Sequence, residues 1–219
     1  MKSLLDEAVP LFERAHGAKV EVEYRLTSVL QKDILAGAAF DIALLPRPEL
    51  DALAAAGKIA PESRTDIARS SIGVAVRAGA PKPDIGSVAA FRRALLAAST
   101  VSYSDGPSGL YIAGLMQRLG LADELKPKTR LSTGPVAELL ARGEAELGLQ
   151  QIVAILPVKG AKLVGPLPAE LQNVITYAAG LPAAAANPAP ARALLAFMTT
   201  PEAARLIRAR GLEPPFEPA

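Results

Sequence analysis

Three short loops of the sequence place hydroxyl side chains or glycines directly before a helical pattern. The loops are Thr27-Ser28, Gly106 to Gly109 and Ser132 to Pro135, and the candidate ligand residues in them are Thr27, Ser28, Ser108, Gly109 and Thr133. The first N–H groups of a helix have no partner within the helix, and they carry partial positive charge. Hydroxyl groups and free N–H groups at such positions favour the binding of a small anion.

The strength of these donors decides how many of them a ligand needs. One helix N-terminus contributes about 0.3 to 1 kcal/mol, whereas a dissociation constant of 1 μM requires about 8 kcal/mol. Charge-assisted hydrogen bonds contribute about 1.5 to 3 kcal/mol each, so donors from several loops must converge on the ligand. Any one of these loops taken alone is equally typical of ordinary helix capping.

The loops lie within a regular alternation of strands and helices. Apolar runs predict strands at 18–24, 41–45, 71–76, 100–103, 145–149 and 173–178. Helical periodicity predicts helices that include 29–36, 49–58, 87–98, 110–119, 136–142, 189–198 and 201–210. This alternation predicts an α/β fold with largely parallel sheets flanked by helices. In such sheets the loops gather at the carboxyl edge, where ligands bind.

Two segments suggest that the chain forms two lobes. The stretch Ala-Pro-Lys-Pro-Asp at 80–84 has the composition of a linker, and the strand at 173–178 is long enough to carry the chain back. We therefore predict a first lobe from 1–78 and 178–219 and a second lobe from 79–177. The expected mechanism is the closure of both lobes on a small anion.

Composition excludes several classes of function. The chain has 24 basic and 22 acidic residues and a net charge of +2, without the Lys/Arg run that a nucleic-acid binder needs. Cysteine is absent, which excludes disulfides, thiolate nucleophiles and cysteine zinc sites. The single histidine, His16, precedes Gly17 in a pattern typical of a helix C-terminus. We expect no metal and no cofactor.

Several motifs together resemble the molybdate-binding protein family of ABC importers. The resemblance runs over nearly the whole chain and implies two α/β lobes that hold an oxyanion through hydroxyl and backbone N–H groups. It also implies a periplasmic location, delivery of the ligand to a membrane permease, and a monomer. The motifs are Phe12-Glu13-Arg14-Ala15-His16-Gly17, Ile34 to Asp41, Gly109-Leu110-Tyr111 and Pro201-Glu202-Ala203-Ala204.

The resemblance assigns roles to individual residues. The family's second-strand hydroxyl corresponds to Thr27 with Ser28 beside it. Its backbone donor before the Gly-hydrophobic-Tyr segment corresponds to Ser108, and its donor at the start of the next helix corresponds to Thr133. A ligand-contacting tyrosine of the family corresponds to Gln151, a departure that weakens the expectation of molybdate. The family's first strand would precede Met1, so we hypothesise that Met1 is an internal methionine of a longer exported precursor.

An organic acid is an alternative ligand, and catalysis is an alternative function. Arg47 follows a predicted strand, and arginine binds planar carboxylates through two parallel hydrogen bonds. A solvated loop charge is the simpler interpretation of Arg47. Aconitate isomerase resembles the same family but needs a general base, for which Asp105 is the only candidate that the sequence offers, and Asp105 also suits a turn.

We therefore expect a binding protein rather than an enzyme. The effector domain of a transcriptional regulator shares this architecture and ranks last, because no helix-turn-helix segment precedes the pattern.

Overall fold

The computed structural model describes residues 1–185 and 188–215, and the chain divides into two compact units. Unit 1 comprises Met1–Arg69 and Ile175–Ala219, and unit 2 comprises Ser70–Val174. The lobe boundaries expected from the sequence, at 78/79 and 177/178, remain a prediction.

Strands and helices are numbered in chain order. The strands are β1 (Ala43–Pro46), β2 (Thr65–Ser70), β3 (Ile72–Arg77), β4 (Val101–Ser104), β5 (Thr129–Ser132), β6 (Leu147–Gln151), β7 (Ala161–Pro166) and β8 (Ile175–Gly180). The α-helices are α1 (Lys2–His16), α2 (Thr27–Leu35), α3 (Arg47–Ala55), α4 (Val88–Ala97), α5 (Pro107–Arg118), α6 (Ala122–Leu125), α7 (Val136–Arg142), α8 (Ile152–Ile155), α9 (Ala189–Phe197) and α10 (Pro201–Ala209). Within the described ranges, the helices are all too short or too polar to cross a membrane.

Unit 1 contains a three-stranded sheet in the order β1-β8-β2. β1 runs antiparallel to β8, and Pro46 at the end of β1 lies opposite Tyr177. Helix α3 follows β1 directly and packs against both strands. Its residues Leu50 and Leu53 are fully buried in one cluster with Leu45, which stabilises the contact by removing apolar area from water. This packing fixes the first turn of α3 at the edge where β1 ends.

Unit 2 contains a five-stranded sheet in the order β5-β4-β6-β3-β7. β4 runs parallel to β5 and β6, whereas β3 runs antiparallel to β6 and β7. Parallel neighbours need crossover connections, and helices α5 and α7 lie in the connections that follow β4 and β5. Phe91, Ile112 and Leu149 are fully buried in the main hydrophobic cluster of this unit. The carboxyl ends of β5, β4 and β6 therefore meet at one edge.

The structure confirms the α/β class with two units, and the strand pairing within it is mixed. The prediction of a strand at 18–24 is wrong, because this segment forms no ladder with any described strand. Its apolar residues Ala18, Val20 and Val22 are nevertheless more buried than the charged residues between them. An alternating pattern gives side chains that suit a strand, but a strand forms only where a second strand is available to pair with its backbone.

Three strands, β2, β5 and β7, lie outside the strand ranges predicted from the sequence. β2 and β7 escape the sequence pattern for different reasons. β2 mixes buried and exposed positions without a period of two, so no alternation marks it. β7 is an edge strand that contains Lys162, Gly165 and Pro166, residues that are depleted in strands. Both are specified by their neighbours in the sheet rather than by local propensity.

The helix end predicted at His16 is confirmed. Gly17 adopts a left-handed conformation with φ of 64°, and its N–H group donates to the carbonyl of Glu13. His16 stacks on Phe12 with ring centroids 4.4 Å apart, and its Nδ1 lies 3.1 Å from the Phe12 carbonyl oxygen. The contacts of this histidine therefore support a structural role at the end of α1.

Candidate functional site

The ends of three parallel strands bring four of the predicted ligand residues to one edge of the unit 2 sheet. Ser104 at the end of β4 lies opposite Ser132 at the end of β5, and Tyr103 lies opposite Leu149 of β6. The first turn of α5 contains the predicted residues Ser108 and Gly109, the loop after β5 contains Thr133, and Gln151 ends β6. Their grouping at this edge follows from the parallel register.

The end of β4 and the first turn of α5 present two hydroxyl groups and a close backbone approach. The hydroxyl oxygens of Ser104 and Ser108 lie 3.5 Å apart. A Cβ atom on Gly109 would lie only 1.5 Å from the carbonyl oxygen of Ser104. The helix can begin this close to the strand only because residue 109 has no side chain. The N–H groups of Ser108 and Gly109 belong to the first turn, where the helix supplies no acceptor.

The loop between β5 and α7 is held by side chains on both sides of Thr133. The buried Ser132 hydroxyl accepts the N–H of Gly134 at 3.2 Å and donates to its carbonyl at 3.0 Å. Gln150 caps α7, because its Oε1 accepts the N–H of Val136 at 2.9 Å. Thr133 is exposed, and its hydroxyl has no hydrogen-bond partner among the residues that the structure describes.

Gln151 presents an unpaired donor at the end of β6. Its side chain is 8% exposed, and its Oε1 accepts the hydroxyl of the fully buried Ser70 at 2.5 Å. Its Nε2 is buried without a hydrogen-bond partner in the described part of the chain. Leaving a buried polar group unpaired costs about 1 to 3 kcal/mol. The arrangement therefore favours an acceptor supplied by a ligand.

In unit 1, Thr27 and Ser28 begin helix α2. The residue before them, Leu26, is extended and offers no capping side chain, while its carbonyl accepts the N–H groups of Val29 and Leu30. Thr27 is partly buried and Ser28 is exposed. The first two N–H groups of this helix point away from its own carbonyls, so they remain for another acceptor.

Arg47 begins helix α3 and takes part in an ionic network. Its guanidinium lies 3.3 Å from Asp66 and 3.8 Å from Asp51, and Asp51 also pairs with Arg64 at 2.9 Å. The Arg47 side chain is 43% exposed, so these pairs stabilise the fold by less than about 1 kcal/mol each. A role of Arg47 toward a ligand carboxylate remains a prediction.

A carboxylate and a phenol lie at the same end of the unit 1 sheet. Glu49 stands in the first turn of α3, and its Oε2 is buried without a partner among the described residues. Tyr177 of β8 is partly buried, and its pKa is raised first by burial and then by the charge of Glu49. The phenol therefore keeps its proton at neutral pH beside a negative charge.

Four residues of these two edges were not found by sequence reasoning. Ser104 lies one residue beyond the strand predicted at 100–103, and Ser70, Glu49 and Tyr177 acquire their roles from segments distant in the sequence.

Asp105, the candidate base of the sequence, is exposed, and its N–H donates to the carbonyl of Ser132 at 3.1 Å. Within 1–185 and 188–215, His, Asp and Glu form no cluster of three that could hold a metal ion.

Comparison with known proteins identifies relatives that match nearly the whole chain. Residues 1–213 match the sequence profile of the bacterial extracellular solute-binding protein family. An aconitate isomerase from Pseudomonas sp is 34% identical over 220 residues, which cover 97% of this chain and 84% of that protein. The prediction that this protein is not an enzyme is wrong by this comparison, because that relative is named as an enzyme.

Solved structures of binding proteins share the fold at low sequence identity. The substrate-binding domain of a molybdenum ABC transporter from Clostridium difficile aligns with a TM-score of 0.85 at 16% identity, covering 97% of this chain and 94% of that chain. The periplasmic molybdate-binding protein of Azotobacter vinelandii aligns with a TM-score of 0.72 at 22% identity, covering 97% and 95%. The resemblance to molybdate-binding proteins that the sequence indicated is confirmed at the level of fold.

Proposed function

The chain belongs to the bacterial extracellular solute-binding protein family, and from this premise we propose that it binds a small organic polycarboxylate and interconverts the isomers of aconitate. The observation that carries this proposal is the 34% identity to an aconitate isomerase over 97% of the chain. We further propose a monomer outside the cytoplasm that works with an ABC permease and without metal, cofactor or nucleic acid.

The chemistry of aconitate fits the groups at the two sheet edges. Aconitate carries two carboxylates on the carbons of its double bond and a third on the neighbouring methylene carbon. Moving the double bond to that methylene carbon regenerates a molecule of the same constitution. The reaction needs hydrogen-bond donors for the carboxylates and one group that moves a proton. Donors are available from Ser108, Thr133 and the Gln151 amide in unit 2 and from Thr27 and Arg47 in unit 1.

The direct test is to incubate the purified protein separately with cis-aconitate and with trans-aconitate. We expect both solutions to reach the same mixture of isomers, which ¹H NMR follows without a coupled assay. Buffer alone and heat-denatured protein are the controls for spontaneous conversion. Binding of both isomers in a calorimeter without conversion would reduce the protein to a passive carrier, and absence of binding would reject the ligand class.

Arg47 provides a test of the ligand class that separates binding from stability. We expect R47A to weaken binding of trans-aconitate about tenfold, since it removes one charge-assisted hydrogen bond. It should lower the free energy of unfolding by less than about 1 kcal/mol, because the ion pairs of Arg47 are exposed. Calorimetry and urea unfolding measure the two quantities.

The matched control is R64A, which removes the other partner of Asp51 and leaves Arg47 in place. We expect R64A to have a comparable effect on stability and to bind trans-aconitate like the wild type. Equal affinities of R47A and R64A would show that Arg47 belongs only to the ionic network.

Capture of an inorganic oxyanion is a second candidate function. The paired hydroxyls of Ser104 and Ser108 and the unpaired hydroxyl of Thr133 favour it, because hydroxyl groups and helix N-termini suit a compact oxyanion. Calorimetry with molybdate and sulfate beside trans-aconitate distinguishes the candidates. Tighter binding of either inorganic anion than of both aconitate isomers would favour this second function.

A further inference from the structure

Glu49 has a buried carboxylate oxygen that helix capping does not explain. It is the third residue of α3, where an acidic side chain commonly accepts the N–H of the N-cap residue. Here the N-cap is Pro46, which has no N–H group. The reciprocal capping contact is therefore excluded, and Oε2 lies buried without a partner among the described residues.

The neighbouring charges do not neutralise Glu49. Arg47, two residues earlier, pairs with Asp51 and Asp66. In the described part of the chain Glu49 forms no ion pair. Tyr177 faces the same edge from β8, across the ladder from Pro46. Its pKa is raised by burial and by the Glu49 charge, so it can donate a hydrogen bond at neutral pH.

We propose that Glu49 is the base that moves the proton in the isomerisation of aconitate, and that Tyr177 donates a hydrogen bond to a carboxylate of the same substrate. This inference rests on the proposed function and adds to it the residues that carry out the reaction. A base without a competing ion pair and beside a neutral donor is suited to a substrate that gains negative charge as it loses a proton.

The proposed step balances without any further reactant. Glu49 removes a proton from the methylene carbon, and the electrons of that C–H bond spread over the three-carbon unit and its carboxylates. Glu49 then returns a proton to the carbon that was vinylic. One C–H bond breaks, one forms, and the double bond moves to the carbon that lost its proton. The conformation at that carbon decides which isomer is released, and no electrons are gained or lost overall.

The test compares E49Q with E138Q. Glu138 is a matched control, because it is also the third residue of a helix whose N-cap is a proline, Pro135, but it is exposed and lies 3.8 Å from Arg142. We expect E49Q to lower kcat for trans-aconitate at least about 100-fold, with a dissociation constant within about threefold of wild type. In D₂O, E49Q should also stop deuterium incorporation into aconitate, and E138Q should behave like the wild type.

Two further variants and the wild type make each outcome decisive. E49D keeps a carboxylate and should retain more isomerisation than E49Q at the same melting temperature, whereas Y177F should lower kcat about tenfold without stopping deuterium exchange. An unchanged kcat in E49Q, or equal losses of kcat and affinity in E49Q and E49D, would overturn the role of Glu49 while leaving the isomerase activity in place. A wild type that neither isomerises nor exchanges would overturn the proposed function, and this inference with it.

Discussion

Alanine in place of Gly109 is expected to lower the free energy of unfolding by about 3 kcal/mol. The added Cβ would lie 1.5 Å from the Ser104 carbonyl oxygen and 2.5 Å from its carbon. Both are backbone atoms at the end of β4, so no side-chain rotation can relieve the contact. Either α5 must move away from the sheet edge or the strand must end earlier. Urea unfolding followed by far-ultraviolet circular dichroism measures the loss.

Gly134 supplies the matched control for this substitution. It lies in the equivalent loop after β5, its φ is not positive, and a Cβ there would meet no atom within 4 Å. We therefore expect G134A to change the free energy of unfolding by less than about 1 kcal/mol. Equal stabilities of G109A and G134A would contradict the close approach of α5 to Ser104. A shifted α5 would also displace Ser108, so we expect weaker ligand binding in G109A alone.

Helices and buried strands were predictable because their signals are local. Helix α10 begins at Pro201 after Thr200, whose hydroxyl accepts the N–H of Ala203 at 3.3 Å, and both residue types mark a helix start in the sequence. The continuous apolar run of β1 likewise ends at a residue that the sequence marks, Pro46. The segment 18–24 carries an equally clear local signal and forms no ladder, because pairing depends on a neighbour that a local pattern does not specify.

In the candidate site, too, the residues with local signals were predictable and those that depend on distant segments were not. The order strand, loop, helix predicts that Ser108 and Thr133 follow neighbouring strands, and they follow β4 and β5. The hydrogen bond between Ser70 and Gln151 joins residues 81 positions apart, and no periodicity marks Ser70. From the sequence alone, Glu49 is an acidic residue in the first turn of a helix, where its charge stabilises the helix dipole. Only the folded structure shows that its Oε2 is buried without a partner and that its charge acts on Tyr177 of β8, and these two observations make Glu49 a candidate base.

The second large effect is expected on ligand affinity in Q151E, where the Nε2 donor of Gln151 is replaced by an acceptor oxygen. The amide oxygen of Gln151 accepts from Ser70, which leaves Nε2 as the group available to an anion. In Q151E the carboxylate has nearly the same shape and still accepts from Ser70, but it has no N–H to donate. Loss of a charge-assisted hydrogen bond corresponds to about 10-fold to 100-fold in affinity, and like-charge repulsion adds to it. We expect trans-aconitate to bind at least about 100-fold more weakly to Q151E at neutral pH.

The matched control for the added charge is Q150E, one residue earlier. Gln150 accepts the N–H of Val136 through Oε1, and a carboxylate can make the same contact at the start of α7. We expect Q150E to weaken binding less than tenfold. Similar losses in both variants would mean that a negative charge anywhere near the end of β6 is sufficient, and that Gln151 donates no specific hydrogen bond to the ligand.

The pH dependence of Q151E separates a ligand donor from a structural residue. The introduced carboxyl is buried, which raises its pKa above the ordinary value of about 4.3 for glutamate. Below that raised pKa the group is neutral and carries an O–H that can donate, so the ratio of Q151E to wild-type affinity should rise as the pH falls. Measuring both proteins at each pH cancels the titration of aconitate itself. A ratio that stays constant with pH would contradict this assignment, because a packing defect in Q151E has no reason to recover on protonation.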